Sequence, residues 1–165
     1  MDNVWIEKLA IRDLCSRYCQ TIDAQDSDGW AQCFAPDGAF EFDGHVVRGY
    51  AALREYAEAH TRVLRGRHMT PNGLYDVDGD RAAGRATTVV SIASSSGYKI
   101  MGQGAYHDDL VKVDGQWKIR HRRVVNDFLV SDPTKPVNLA DPDVAALVQQ
   151  LIDAANDQGS AEKKT

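Results

Sequence analysis

Gly104-Ala105-Tyr106-His107-Asp108-Asp109-Leu110, then Asp114-Gly115-Gln116-Trp117-Lys118-Ile119, is the stretch that decides the fold. Asp114-Gly115 is a strong turn dipeptide. Residues 98–113 before it and 117–130 after it read as long strands, so the stretch predicts an antiparallel hairpin. Working upstream, residues 81–93 read as a third strand with Thr88, Val90 and Ile92 on one face, and Ser94-Ser95-Ser96-Gly97 as the turn that follows. Residues 67–77 read as one more strand, closed by Asp78-Gly79-Asp80.

The first half has a helical period instead. Leu9, Ile11, Leu14, Cys15, Tyr18, Cys19 and Ile22 recur at helical spacing, which predicts an amphipathic helix of about five turns. Asp26 or Ser27 can cap a short second helix carrying Trp30, Cys33 and Phe34, ended by a turn at Pro36-Asp37-Gly38. Residues 39–42 alternate like a strand, and Asp43-Gly44 signals a hairpin. Leu53, Tyr56, Ala57, His60, Thr61 and Leu64 mark a third helix. After Pro133 and Pro136, Asp141-Pro142 opens a last helix with Val144, Leu147, Val148, Leu151 and Ile152 on its apolar side. Helices first and a meander after is the α+β pattern. Residues 1–156 are expected to form one domain and 157–165 a polar, disordered tail.

Composition narrows the function classes. A length of 165 residues fits one domain with a core and a pocket. The net charge of -5 lacks the basic footprint of a nucleic-acid binder. No apolar run reaches the roughly 18 residues that span a bilayer. The first seven residues carry no basic segment and no cleavable apolar stretch, so a cytoplasmic protein with reduced cysteines is expected. The 5 histidines have no metal-ligand spacing, and Cys15 and Cys19 have no partner pair, so no metal is expected. No GxSxG and no phosphate-binding glycine loop is present, so no serine acyl-transfer or nucleotide chemistry is expected, and no cofactor.

Two stretches carry a family resemblance. One is Tyr18-Cys19-Gln20-Thr21-Ile22-Asp23 followed by Trp30, Phe34, Pro36-Asp37-Gly38 and Phe40. The other is the 104–119 stretch with Arg122. Over roughly residues 5 to 130 the chain resembles the nuclear-transport-factor-like superfamily in its SnoaL-like branch. The resemblance implies a cone-shaped, curved, mostly antiparallel sheet with N-terminal helices over its concave face and an apolar pocket at the open end. This fold hosts isomerases, hydrolases, lyases and non-catalytic subunits, so it does not by itself choose a function.

The family's lyases, scytalone dehydratase, bile-acid dehydratase and hexachlorocyclohexane dehydrochlorinase, place an Asp where Asp23 stands and a His where His68 stands. The resemblance thus implies a dyad, with Asp23 orienting His68 for general acid–base work. Read from the residues alone, Asp23 is either this or an Asp that starts a turn or caps the second helix. A carboxylate at a helix C-terminus is not chosen for stability. Tyr18 is both on the apolar stripe and, by resemblance, a group able to bind a substrate oxygen. Arg122 matches an Arg on the last strand that can stabilise developing negative charge. A slip of one residue in the run Arg120, His121, Arg122, Arg123 would exchange it for His121 or Arg123. Phe40, Tyr106, Val124 and Asn126 are implied walls, with Gly102 and Gly104 on the Tyr106 face. His60 lies on the apolar side of the third helix, at the pocket mouth or packed in the core.

The resulting expectation is a cofactor-independent lyase of the dehydratase or dehydrohalogenase kind. Its substrate is a small, largely apolar ring compound such as a steroid or polyketide. The alternatives are a ketosteroid-isomerase-like proton shuttle, a non-catalytic ligand-binding protein, or a subunit like the small subunits of ring-hydroxylating dioxygenases. The partner otherwise expected is a second copy of the chain, docked through the outer sheet face that carries Arg85, Thr87, Val89 and Ser91.

Overall fold

Two Asp-Gly pairs make the tight turns, as the sequence requires. Asp43 and Gly44 have φ of 50° and 77°, and Asp114 and Gly115 have 51° and 77°. Two successive positive φ values match the right-handed twist of the strands they join. The computed structural model describes residues 4–63, 65–94 and 97–129, all within the compact unit Met1–Pro133. The expected final helix, the domain limit at 156, the tail, Leu64 and the Ser95-Ser96 turn lie outside the described residues.

The order is α1 (Val4–Asp23), α2 (Ser27–Ala31), β1 (Phe34–Phe42), β2 (His45–Arg48), α3 (Tyr50–Val63), β3 (Gly66–Met69), β4 (Gly73–Asp78), β5 (Arg81–Ser94), β6 (Gly97–Val113) and β7 (Gln116–Leu129). The fold is α+β. The seven strands form one curved, mostly antiparallel sheet in the order β2-β1-β7-β6-β5-β3, with β4 also on β5. The β1–β7 pair is parallel. Register shifts in β5–β6 and twice in β6–β7 mark bulges. Bulges bend strands, which is how so long a meander curls around the helices.

Helix α1 lies against that sheet. Its buried face is Ile11, Leu14, Cys15, Tyr18, Cys19 and Ile22. Leu9, expected on this stripe, is 62% exposed. At 100° per residue it points about 160° away from Ile11. Asp26 caps α2, its carboxylate accepting from the Gly29 N–H at 2.8 Å.

Three other expectations are corrected. Cys33 and Phe34 are not in α2, which ends at Ala31. Phe34 opens β1 instead, because the Ile119 N–H of β7 donates to the Cys33 carbonyl at 2.9 Å and draws the chain into the sheet. Pro36-Asp37-Gly38 therefore sits within β1 at a register shift, not in a helix-ending turn. A Cβ on Gly38 would lie 2.7 Å from the Ile119 carbonyl oxygen, so this crossing needs glycine. Finally, residues 67–77 are two strands. Pro71 has no N–H to give the ladder, and β3 and β4 pair separately with residues 89–92 and 81–86 of β5.

Candidate functional site

The helices and the sheet enclose a cavity of about 190 Å³. Its walls are mainly aromatic and aliphatic, and Trp30, Phe40 and Tyr56 pack ring to ring along one side. Tyr18, Phe40, Tyr106 and Val124, expected as site residues, line it. The Asn126 backbone pairs with Gly104 on β6. Its side chain lies outside the described residues.

His68, also expected, is a wall residue, and it touches Asp23. The contact is built from three interactions across 45 residues of sequence. The His68 backbone N–H donates to both Asp23 carboxylate oxygens at 3.1 Å, and ring Nδ1 meets Oδ1 at 2.8 Å. Asp23 is the last residue of α1 and His68 lies in β3. Their side chains are 11% and 9% exposed. A carboxylate only accepts, so Nδ1 carries the proton in the neutral ring and Nε2 is left as a lone pair. That is the state a general base requires.

Beneath this wall lies a buried polar chain. Arg122 Nε and Nη2 each donate to Asp108 at 2.7 Å, one to each oxygen. The Tyr75 hydroxyl donates to Asp108 Oδ2 at 3.0 Å and lies 3.2 Å from Cys15 Sγ. Both charged side chains are fully buried. The Arg122 guanidinium carbon sits 4.3 Å from the Tyr18 ring centre and 4.2 Å from that of Tyr106. Burial opposes the Arg122 charge, but Asp108 outweighs it and holds the group well above its ordinary value. Burial raises Tyr18 and pushes Tyr106 up to about 12, and Arg122 offsets only part of this. Both phenols therefore stay protonated near neutral pH.

Arg122 thus faces inward but is not among the residues that line the cavity; the tyrosines stand between. Its partner Asp108 was not singled out in the sequence. The signal for it was present: Asp108 alternates with Tyr106 and Leu110 on the inward side of β6, and a buried carboxylate needs a cation. Trp30, Tyr56 and Thr88 also line the cavity unforeseen. Tyr56 was legible, being one helical turn before His60 on the same face.

His60 lines the cavity beside His68, their ring centres 5.5 Å apart. Burial, then the charge of His68, push it down to about 4, against the pull of Asp23. An unfolded His titrates near 6.5. Between those values the unfolded chain binds a proton that the folded one refuses, so stability falls as pH drops from about 7 toward 4. His60→Phe is expected to flatten that part of the profile, read as urea midpoints at several pH values. An equal slope in both proteins would refute it.

Cys15, Cys19 and Cys33 are free and buried. Burial pushes the Cys19 and Cys33 thiols up to about 11. Cys19 and Cys33 thus form few thiolates at neutral pH and all three thiols are buried, so thiol reagents should react slowly with native protein and with three groups per chain once it is denatured without reductant. Fewer than three would contradict this. Among the described residues no group of three or more His, Cys, Asp or Glu could hold a metal ion, and no helix is long and apolar enough to cross a membrane.

Residues 6–123 match the family model of the SnoaL-like domain. A solved structure from Mycobacterium tuberculosis, an Asp-to-Asn variant of a protein of unknown function, is 60% identical, with 94% of this chain and 92% of that chain covered and a TM-score of 0.76. A candidate scytalone dehydratase from Novosphingobium aromaticivorans is 22% identical over 85% of this chain and 99% of its own, at a TM-score of 0.70. The beta subunit of a candidate aromatic-ring-hydroxylating dioxygenase from the same organism is 19% identical over 79% and 95%, at 0.67. The last two speak to the fold alone. None of the curated proteins matches. With the family model spanning well over half of its length, and with a relative so similar along nearly all of it, the chain belongs to the SnoaL-like domain family.

Proposed function

We propose that the protein is a cofactor-independent lyase of the dehydratase or dehydrohalogenase kind, with His68 as its base and Asp23 as the residue that positions His68. The observation that carries this reading is the 2.8 Å contact between Asp23 Oδ1 and His68 Nδ1 on the wall of an apolar cavity. In the reaction, His68 Nε2 takes a proton from a carbon next to an electron-withdrawing group. The C–H pair becomes a C=C bond, and the bond to the leaving group breaks with its electrons. The proton on His68 passes to the departing group, so the net loss is water or a hydrogen halide. Asp23 stabilises the imidazolium that exists in between.

Tyr18 and Tyr106 supply neutral O–H groups near developing negative charge, and the guanidinium of Arg122 beneath their rings favours that charge. Arg122 acts through the tyrosines. The cavity, about 190 Å³, has room for roughly six waters at about 30 Å³ each, which suits a small ring compound.

The test is a panel of bicyclic and tricyclic β-hydroxy ketones, with loss of water followed by absorbance of the conjugated product. Turnover by the wild type and none by His68→Ala supports the reading. Exchange of the α-proton in D₂O without loss of water would replace it by an isomerase-like proton shuttle. Tight binding with neither reaction would make the protein a ligand carrier.

A further inference from the structure

We propose that His60 is a further hydrogen-bond donor of this cavity, beside the Tyr18 and Tyr106 hydroxyls: a neutral imidazole with its proton held on Nε2, which grips an acceptor oxygen of the substrate beside the carbon that His68 deprotonates. The inference rests on the lyase reading and narrows its substrate class to apolar ring compounds with a carbonyl or hydroxyl oxygen close to the acidic C–H.

The two histidines are neighbours with opposite surroundings. His68 Nδ1 has a carboxylate to donate to. His60 Nδ1 is buried and has no hydrogen-bond partner. A buried N–H with nothing to donate to is costlier than an empty lone pair and is rarer in folded proteins. The proton of neutral His60 therefore belongs on Nε2, while that of His68 belongs on Nδ1. One ring is left as an acceptor and base, the other as a donor.

The rest of the surroundings keep His60 neutral. The Tyr56 ring from its own helix lies tilted with its centre 6.1 Å away, that of His68 from β3 stands at 5.5 Å, and Asp23 from α1 is already engaged by His68. Its tendency to lose a proton, down to about 4, agrees with that geometry. A neutral donor stabilises an oxyanion without turning the adjacent base into a like-charged neighbour. With ring centres 5.5 Å apart, base and donor reach adjacent positions of one small molecule, the carbon α to a carbonyl and the carbonyl oxygen. The hydroxyls of Thr88, Tyr106 and Tyr18, also on the wall and interacting with one another, are the rival donors.

Two measurements on the full chain decide it. Long-range ¹H–¹⁵N correlation spectra of ¹⁵N-histidine-labelled protein read each tautomer directly. We expect His60 as the Nε2–H form from pH 8 down to about 5, and His68 as the Nδ1–H form. A Nδ1–H form of His60, or its protonation near neutral pH, would overturn the proposal without any variant having to fold.

The second measurement compares binding of 1-tetralone, which carries the acceptor, with tetralin, which does not. The wild type should prefer 1-tetralone by about tenfold, His60→Phe should lose the preference, and Thr88→Val should keep it. A preference retained in His60→Phe, or lost only in Thr88→Val, sinks the proposal, as does its absence in the wild type. Deuterium exchange at the α-carbon of 1-tetralone reports on His68 separately. Its absence in the wild type counts against the lyase reading, whatever His60 does.

Discussion

Asp23→Asn is expected to lower turnover roughly 10²–10⁴-fold, the usual contribution of general acid–base catalysis. That is about 3–5 kcal/mol of barrier. The amide cannot stabilise an imidazolium, and its NH₂ turned to the ring would hold the wrong tautomer, with Nδ1 as acceptor. The fold should survive. The remaining carbonyl oxygen still accepts from the His68 backbone N–H, which the carboxylate now holds with both oxygens. Loss of one such interaction costs about 1 kcal/mol, or roughly 2–4 °C in melting temperature for a chain of this size. Removing a negative charge from the end of α1 offsets part of that. Steady-state rates and thermal melts of the same preparation separate the outcomes. A large fall in melting temperature with full turnover per folded molecule would make Asp23 a structural tether only.

Asp108→Asn is expected to have the largest effect on stability. It leaves the fully buried Arg122 without its counter-charge. Breaking such a pair from one side costs about 3–5 kcal/mol, or roughly 6–20 °C in melting temperature. Arg122 has no slack to absorb the loss, since its Nη1 already lacks a partner. Replacing both partners, as Asp108→Leu with Arg122→Met, should recover much of the stability, because the desolvation penalty disappears with the charges. The double variant should still lose activity, since Tyr18 and Tyr106 would rest on an uncharged neighbour. Urea unfolding of the two single variants and the double variant gives the coupling energy directly. A loss below about 1 kcal/mol in Asp108→Asn would mean that water or a neighbour reaches the guanidinium, and would remove the basis for its influence on the tyrosines.

The parts of the fold that depend on local geometry follow from the residues directly. The apolar stripe from Ile11 to Ile22 makes α1, because residues three and four apart share a helix face whatever lies opposite. Asp43-Gly44 and Asp114-Gly115 make their turns, because these residues accept positive φ. With those elements in order, the α+β architecture follows. Tertiary structure alone decided which residues of β7 face the cavity side. Trp117 and Ile119 are buried, and strict alternation from them would turn His121 inward. Instead the ladder runs Leu110 to Ile119 and then Asp109 to His121, so Arg120 is an extra residue, Arg122 comes to face Asp108, and His121 meets Glu41 at 3.0 Å. A bulge leaves one residue unpaired and turns the side chains beyond it to the other face, which strict alternation along the strand does not anticipate. Asp23 and His68 are the same case at longer range. Their residue types are in the sequence, but their 2.8 Å contact exists only because β3 pairs with β5 and so brings His68 to the end of α1. Periodicity sees a few residues to either side, whereas a hydrogen bond across 45 residues is fixed by how the whole sheet closes on the helix.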